Sequence, residues 1–197
     1  MNTGKLIVLS APSGCGKTTI AKAIMKKYPS MLFSVSATTR KKREGETHGK
    51  DYFFLTKEEF EQRISKGDLV EWEKYPNEAR GNYYGTLKSE VDRALNGGKV
   101  MLFDVDVKGA LSIKKKYGSE AVLIFITAPS FDELKKRLLN RRTDDAEAIL
   151  SRLERAAMEM EKGKEFDYRV VNDNLEKAIA DVDAIIKEQT TIETLQH

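Results

Sequence analysis

The stretch Leu6-Ile7-Val8-Leu9-Ser10-Ala11-Pro12-Ser13-Gly14-Cys15-Gly16-Lys17-Thr18-Thr19 decides the fold. An unbroken apolar run, a loop carrying two glycines and a helix-forming segment read in order as buried strand, tight loop and helix. Gly14 and Gly16 let the backbone turn with successive N–H groups pointing inward, toward the positive end of the helix that begins near Lys17. An anion belongs in such a loop. Lys17 can reach the β- and γ-phosphates of a nucleoside triphosphate, and the Thr18 hydroxyl is placed to ligate the Mg²⁺ that bridges them. The spacing is that of a Walker A loop, GxxxxGK(S/T), with Ala11 at the first glycine. The loop predicts a nucleotide site spanning Ala11 to Thr19, but not what accepts the phosphate.

Working outward, apolar runs at Leu32 to Val35, Val100 to Phe103 and Val122 to Ile126 predict further strands. Lys17 to Tyr28, Lys88 to Leu95, Lys108 to Tyr117, Phe131 to Asn140, Ala146 to Lys162 and Leu175 to Gln189 predict helices. Continuous apolar strands alternating with helices imply an α/β chain with a mostly parallel central sheet covered on both faces.

Two segments break the rhythm. From about Ala37 to Thr86 short aromatic strands, Tyr52-Phe53-Phe54 and Val70-Glu71-Trp72, flank a helix opened by the capping box Thr56-Lys57-Glu58-Glu59. This predicts a small mixed insertion, with Trp72 in its core as an apolar strand position. From Lys135 to Arg155 the chain is helical and arginine-rich around Thr143-Asp144-Asp145, a helical hairpin. Arg155 and Glu159 suit an i,i+4 pair. Arg137 and Arg141, four apart on one face, are read as lacking an acidic neighbour there, which favours phosphate ligation over a charged outer face.

Composition sets bounds. The 197 residues can bury one sizeable core, and 40% hydrophobic with 33% charged residues suits a soluble globular chain. Cys15 is the sole cysteine and, with His48 and His197, cannot build a disulfide framework or a usual zinc site. Cys15 reads as a small loop spacer, with a thiol at a helix N-terminus open to oxidation. No run approaches the roughly 18 apolar residues of a membrane span, and no signal segment is evident, so a cytoplasmic setting without membrane partners is expected. A net charge of +3 supports anionic ligands only weakly and gives hardly any reason to invoke nucleic acid, so no nucleic-acid partner is expected.

The acceptor is named by a resemblance. Ser36-Ala37-Thr38-Thr39-Arg40-Lys41-Lys42-Arg43-Glu44-Gly45-Glu46, His48-Gly49-Lys50-Asp51-Tyr52-Phe53, Glu71-Trp72 and Gly81-Asn82-Tyr83-Tyr84-Gly85-Thr86 resemble the nucleoside-monophosphate-binding part of the guanylate kinase family. Ala11-Pro12-Ser13-Gly14, Asp104-Val105-Asp106 with Gly109, and Val171-Asn172-Asp173 are similar to that family too. The resemblance covers nearly the whole chain in order. It implies a P-loop three-layer fold with core 1–36, 87–129 and 160–197, a GMP-binding subdomain 37–86 and a helical lid 130–159.

Carried over, it implies that Arg40, Arg43, Tyr52 and Tyr84 bind the GMP phosphate, for which guanidinium forks and phenol hydroxyls are suited. Ser36, Glu71 and Thr86, with Asp104 and Asp106 nearby, would complete the acceptor site and read guanine. A carboxylate at Glu71 can accept from guanine N1–H and the exocyclic amine, and adenine has no N1–H; a buried acceptor left unpaired by the wrong base can discriminate by about 10⁴ to 10⁵. Asp104 would hold the Mg²⁺ hydration shell opposite Thr18. Arg137, Arg141 and Arg152 would be lid arginines acting with Lys17 in catalysis, and Asn172 an adenine-side contact. The implied activity is ATP + GMP to ADP + GDP, with dGMP as a further acceptor; homo-oligomerisation stays open. The Arg40 to Arg43 cluster standing alone also reads as a solvated basic turn. Two competing functions are a catalytically inactive scaffold module of the same fold and a kinase for another phosphate ester. Two positions depart from the family pattern: Ala11 stands for Gly, and Lys42 for Pro. A longer loop, Pro76-Asn77-Glu78-Ala79-Arg80, precedes Gly81.

Overall fold

In a computed structural model the described residues are 4–75, 81–139 and 146–193. The apolar run Lys5–Ser10 forms β1, and the glycine loop leads into α1, Lys17–Lys27. The other central strands are β2, Leu32–Phe33, and β7, Val100–Asp104, followed by β8, Ala121–Thr127, and β9, Tyr168–Val171. They pair entirely in parallel in the order β2-β7-β1-β8-β9. All seven side chains of β8 are buried, as a strand covered on both faces requires.

Helices α1 and α7 (Leu175–Gln189) cover one face, packing Ile20, Ile24, Val182 and Ile186 over Ile7, Leu9 and Ile124. Helices α3 (Lys88–Asn96) and α4 (Val107–Tyr117) cover the other, where Val91, Ala110 and Ile113 meet Leu6, Val8, Phe103 and Leu123. Beneath α7, the buried Asp183 accepts from Tyr28 Oη at 2.7 Å and pairs with Lys27 and Lys187 at 2.8 and 2.9 Å. Because β1 is central and the chain leaves it first to one side and then to the other, its carboxyl end is the crevice at which such sheets bind ligands.

A second sheet is built from β3 (Ala37–Thr38), β4 (Phe53–Phe54), β5 (Leu69–Tyr75) and β6 (Asn82–Leu87), in the order β4-β3-β6-β5. It is mixed: β3 pairs with β4 in parallel and with β6 antiparallel. Helix α2, Lys57–Lys66, covers one face and starts at the expected capping box, Thr56 Oγ1 accepting from Glu59 N at 3.1 Å and Glu59 Oε2 accepting from Thr56 N at 2.7 Å. Phe60 stacks on Tyr83 at 5.2 Å in a small core with Ala37, Leu69 and Leu87. Trp72, expected inside this core, is instead 47% exposed. β5 is an edge strand, so Trp72 lies at the rim with its ring against Tyr83 at 5.9 Å.

After β8, α5 (Phe131–Leu139) and α6 (Ala146–Lys162) form the helical hairpin. Arg141, Arg142 and the turn 143–145 lie outside the described residues, as do the loop 76–80 and His197. Among the described residues no helix is long and apolar enough to cross a membrane.

Candidate active site

The loop after β1 turns at Gly14, φ 92°, and Gly16, φ 84°, both in the left-handed region where a Cβ is strained. No other residue type among those described has a positive φ, so Ala11 sits in ordinary backbone and no glycine is needed there. Cys15 N donates to Pro12 O at 3.2 Å, while Thr19 N and Ile20 N both donate to Gly16 O at 3.1 Å, closing the first turn of α1. A cleft of about 520 Å³ opens above, lined by Ala11 through Thr19 and, from across it, Asp106, Arg152, Arg155 and Glu159.

Asn172 is placed behind this loop. Only 6% exposed, it donates from Nδ2 to Cys15 O at 2.8 Å, and a Cβ on Gly16 would run into the same amide nitrogen. Its side chain therefore holds the loop's shape and does not line the cleft. Cys15, expected to be open to oxidation, is fully buried, and burial pushes its thiol up to about 11 despite a hydrogen bond with the Ala128 backbone. The reactive thiolate is disfavoured there.

Lys17 is ion-paired with Asp104 and donates from Nζ to Val105 O at 2.9 Å, spanning from the loop to the end of β7. Thr18 is exposed at the mouth of the loop.

Facing the carboxyl end of β7 is a second cleft, of about 290 Å³. Ser36, Tyr52, Glu71, Tyr84, Asp104 and Asp106, all singled out from sequence, line it. Alternation along β5 and β6 sends Glu71, Glu73 and Tyr75, with Tyr84 and Thr86, to this side. Thr86 is buried and donates to Glu71 Oε1 at 2.7 Å. Desolvation is the largest influence on the Glu71 carboxyl and the nearby Asp106 and Glu73 charges add to it, so that its pKa rises to about 7 although Thr86 pulls the other way.

Asp106 caps α4 by accepting from Gly109 N at 2.8 Å, and its other oxygen accepts from Tyr75 Oη at 3.4 Å and Arg155 Nη2 at 3.3 Å. Burial works to raise its pKa, but the Glu73, Gly109 and Tyr75 contacts and the Arg155 charge outweigh it and hold the group below the usual carboxylate range. Asp106 lines both clefts, so the two meet at this side chain.

Arg40 sits beside the second cleft, its guanidinium 5.2 Å from the Tyr52 ring centre and 5.7 Å from that of Phe54. It grips Glu46 with two bonds, Nη2 to Oε1 at 2.7 Å and Nη1 to Oε2 at 3.1 Å. Arg43 is exposed, and its backbone N–H also donates to Glu46, at 2.7 Å. Glu46 therefore orders this turn, a role not read from the sequence.

In the hairpin the expected Arg155–Glu159 pair forms at 3.0 Å. Arg137, expected to lack an acidic neighbour, has one. Glu133, one turn back on the same face, pairs with it at 3.1 Å, and Arg137 Nη1 also donates to Asn172 O at 3.0 Å. Residues missed altogether are Glu73, Tyr75 and Arg155 as neighbours of Asp106. The period of two from Glu71 signals Glu73 and Tyr75; nothing local signals Arg155, which meets Asp106 only through tertiary structure.

A parallel sheet with an anion-cradling loop at the centre of its carboxyl edge, faced across a cleft by a smaller mixed sheet, defines a P-loop phosphotransferase. The guanylate kinase family model matches residues 3–189. Relatives named guanylate kinase include that of Chlorobaculum tepidum, 49% identical over 91% of this chain and 90% of its own, and that of Chlorobium chlorochromatii, 50% identical over 93% and 95%. Among solved structures, guanylate kinase from Anaplasma phagocytophilum superposes with a TM-score of 0.72 at 29% identity, covering 99% of this chain and 92% of that one. The chain belongs to the guanylate kinase family.

Proposed function

We propose that this chain transfers the γ-phosphoryl group of ATP to GMP, and to dGMP, yielding ADP and GDP. The observation that carries the reading is the meeting of two unlike clefts at Asp106: one walled by backbone amides and cations, the other by Glu71 and hydrogen-bonding aromatics. The first suits a polyphosphate and the second a polar base with N–H donors on its edge.

In this reading Lys17 and the amides from Ser13 to Thr19 hold the donor phosphates. Lys17 exchanges its tie to Asp104 for the β- and γ-oxygens. Arg40 and Arg43 with Tyr52 and Tyr84 fix the acceptor phosphate, and Glu46 keeps Arg40 aimed until it arrives. Glu71, Ser36, Thr86 and Asp106 read the base. The Thr18 hydroxyl and the Asp104 carboxylate are hard oxygen donors on facing elements, a set that fits Mg²⁺ held with waters. When bound, the ion would supply neutralisation of charge on the donor phosphates. The acceptor is already an anionic oxygen, so no general base is called for, and catalysis is alignment with charge stabilisation. Arg152, which faces the loop cleft, and Arg141 would close over the phosphates and exclude water. Arg137 must release Glu133 to join them; otherwise it serves to position Asn172. The core 1–36, 87–129 and 160–197, acceptor subdomain 37–86 and lid 130–159 are the parts that would move.

The test is a coupled assay with ATP-Mg²⁺ and a panel of GMP, dGMP, AMP and UMP, run on wild type and Lys17→Ala. GMP and dGMP should turn over and AMP and UMP should not. Lys17→Ala should lower kcat by at least about 10² to 10³, the loss associated with one preorganised charge-stabilising donor, while GMP still binds by calorimetry. Turnover unchanged by Lys17→Ala would end the kinase reading.

A further inference from the structure

Glu73 stands two residues from Glu71 on the same face of β5 and lines the same cleft. Its two oxygens are differently placed. Oε1 accepts from Lys108 Nζ at 3.1 Å, whereas Oε2 is buried and, among the described residues, no donor reaches it. The carboxylate beside it is Asp106. Two carboxyl groups in contact in a cleft offer more lone pairs than hydrogens, and a neutral group with two hydrogens to give can serve both.

Of the other acceptors around the cleft, Glu71 Oε1 and both Asp106 oxygens already accept hydrogen bonds and can take a base hydrogen only in addition to them. Glu71 Oε1 takes the Thr86 hydroxyl, Asp106 Oδ1 takes the Gly109 N–H, and Asp106 Oδ2 takes Tyr75 and Arg155. The edge of guanine presents one ring N–H and an exocyclic amine with two N–H bonds. Glu71 can serve the ring N–H and one amine hydrogen, which leaves the second amine hydrogen to the carboxyls beyond it, Asp106 and Glu73, of which Glu73 Oε2 is the buried oxygen that accepts no bond among the described residues. Resting on the proposed GMP acceptor site, we propose that Glu73 is a specificity-determining residue, its Oε2 accepting a hydrogen bond from the 2-amino group of the base. Lys108, on α4, holds the carboxylate in place from outside through its other oxygen.

This divides base recognition into two chemically separable parts. Glu71 reads the ring N–H, which guanine and hypoxanthine share. Glu73 reads the amine, which hypoxanthine lacks. Inosine monophosphate therefore isolates the contribution of Glu73, being otherwise the same acceptor with the same phosphate, ribose, N1–H and O6.

The experiment measures kcat and KM for GMP and for inosine monophosphate with wild type, Glu73→Met and Glu73→Gln. Methionine keeps the length and removes both acceptors. It strands Lys108, whose side chain is 70% exposed, so losing that partner costs the fold little. The expected result is a fall in kcat/KM for GMP of about tenfold to a hundredfold, the range of one lost bond to a charged acceptor. The loss should appear mainly in KM, with inosine monophosphate essentially unchanged and Glu73→Gln recovering part of the preference through its carbonyl. KM for ATP serves as the internal check that the variants are folded. Equal losses on both acceptors, or none on either, overturn the proposal and leave Glu73 as part of the sheet edge. A wild type that phosphorylates neither acceptor overturns instead the reading on which it rests.

Discussion

A carboxyl that leaves water to face a base is pulled between its two states. Burial lifts Glu71 to about 7, so near neutral pH it is divided between acid and carboxylate, and only the carboxylate accepts from guanine N1–H and the amine with both oxygens and the help of its charge. GMP affinity should therefore rise as pH rises through about 7. The GMP phosphate itself titrates near about 6, and so contributes its own pH dependence. Glu71→Gln removes the first contribution and keeps the second, and KM for GMP measured against pH in the two proteins separates them. The variant should weaken GMP by about 1.5 to 3 kcal/mol at alkaline pH, and an equal loss for AMP would sink the base-reading role. Stability moves the opposite way. Between the ordinary 4.5 and the raised value the folded state binds the extra proton, so the contribution present at low pH is lost as pH rises through about 7. Glu71→Gln should accordingly gain melting temperature over wild type above that pH and not at acid pH. Glu71 was legible from sequence because its chemistry and its motif agree. Arg137 is harder to read, because its acidic partner, Glu133, stands one turn back from it, on the side away from Arg141.

At the scale of elements, legibility followed periodicity. Leu6 to Ser10, Val100 to Phe103 and Val122 to Ile126 are buried on both faces and stand out as continuous apolar runs, and Thr56 with Glu59 announces α2 through a local capping box. β9, Tyr168–Val171, has no such signature: it is an edge strand with a single buried residue, Val170, so its apolar signal is short. Trp72 was misplaced for a related reason, since a side chain's hydrophobicity does not say whether its strand is central or at the rim. The loop between β1 and α1 shows what sequence alone leaves out. Its glycines were legible, but the Asn172 amide that braces Gly16 and Cys15 comes from 157 residues away. Gly16→Ala tests the brace. The left-handed φ of 84° alone should cost about 1 to 2 kcal/mol with a side chain present, and the new Cβ must also displace Asn172 Nδ2. A raised KM for ATP, a lowered melting temperature and unchanged GMP binding are expected. Adding Asn172→Ala should restore part of the loss in a double-mutant cycle, because the two changes act at one contact; strict additivity would refute the brace.

Over the whole molecule, the two clefts are walled by sheets with cores of their own, joined where Val70 of β5 packs into the cluster on the central sheet. The parallel sheet is sandwiched between two large clusters, whereas among the described residues the mixed sheet's own cluster holds five buried side chains, Ala37, Phe60, Leu69, Tyr83 and Leu87. A small core opens at lower free energy than a large one, so the acceptor side should be the first part of the chain to loosen. Asp106 is where bonds from two sides meet, Tyr75 reaching it from the mixed sheet and Arg155 from α6, while Lys108 and Lys116 of α4 tie β5 at Glu73 and the Leu69 carbonyl. Acceptor binding at that point would therefore draw the parts together. Phe60→Ala removes the largest fully buried side chain of the small core, a change that typically costs about 3 to 5 kcal/mol. If the acceptor subdomain is a semi-independent unit, hydrogen exchange in Phe60→Ala should quicken across 37–86 while β1, β7 and β8 keep their protection, with KM for GMP rising and ATP binding retained. Saturating GMP should restore protection by mass action, by about 2.7 kcal/mol at a hundred times its dissociation constant. Uniform loss of protection in both sheets would instead make the chain one cooperative unit, and the division at 37–86 would then have no energetic meaning.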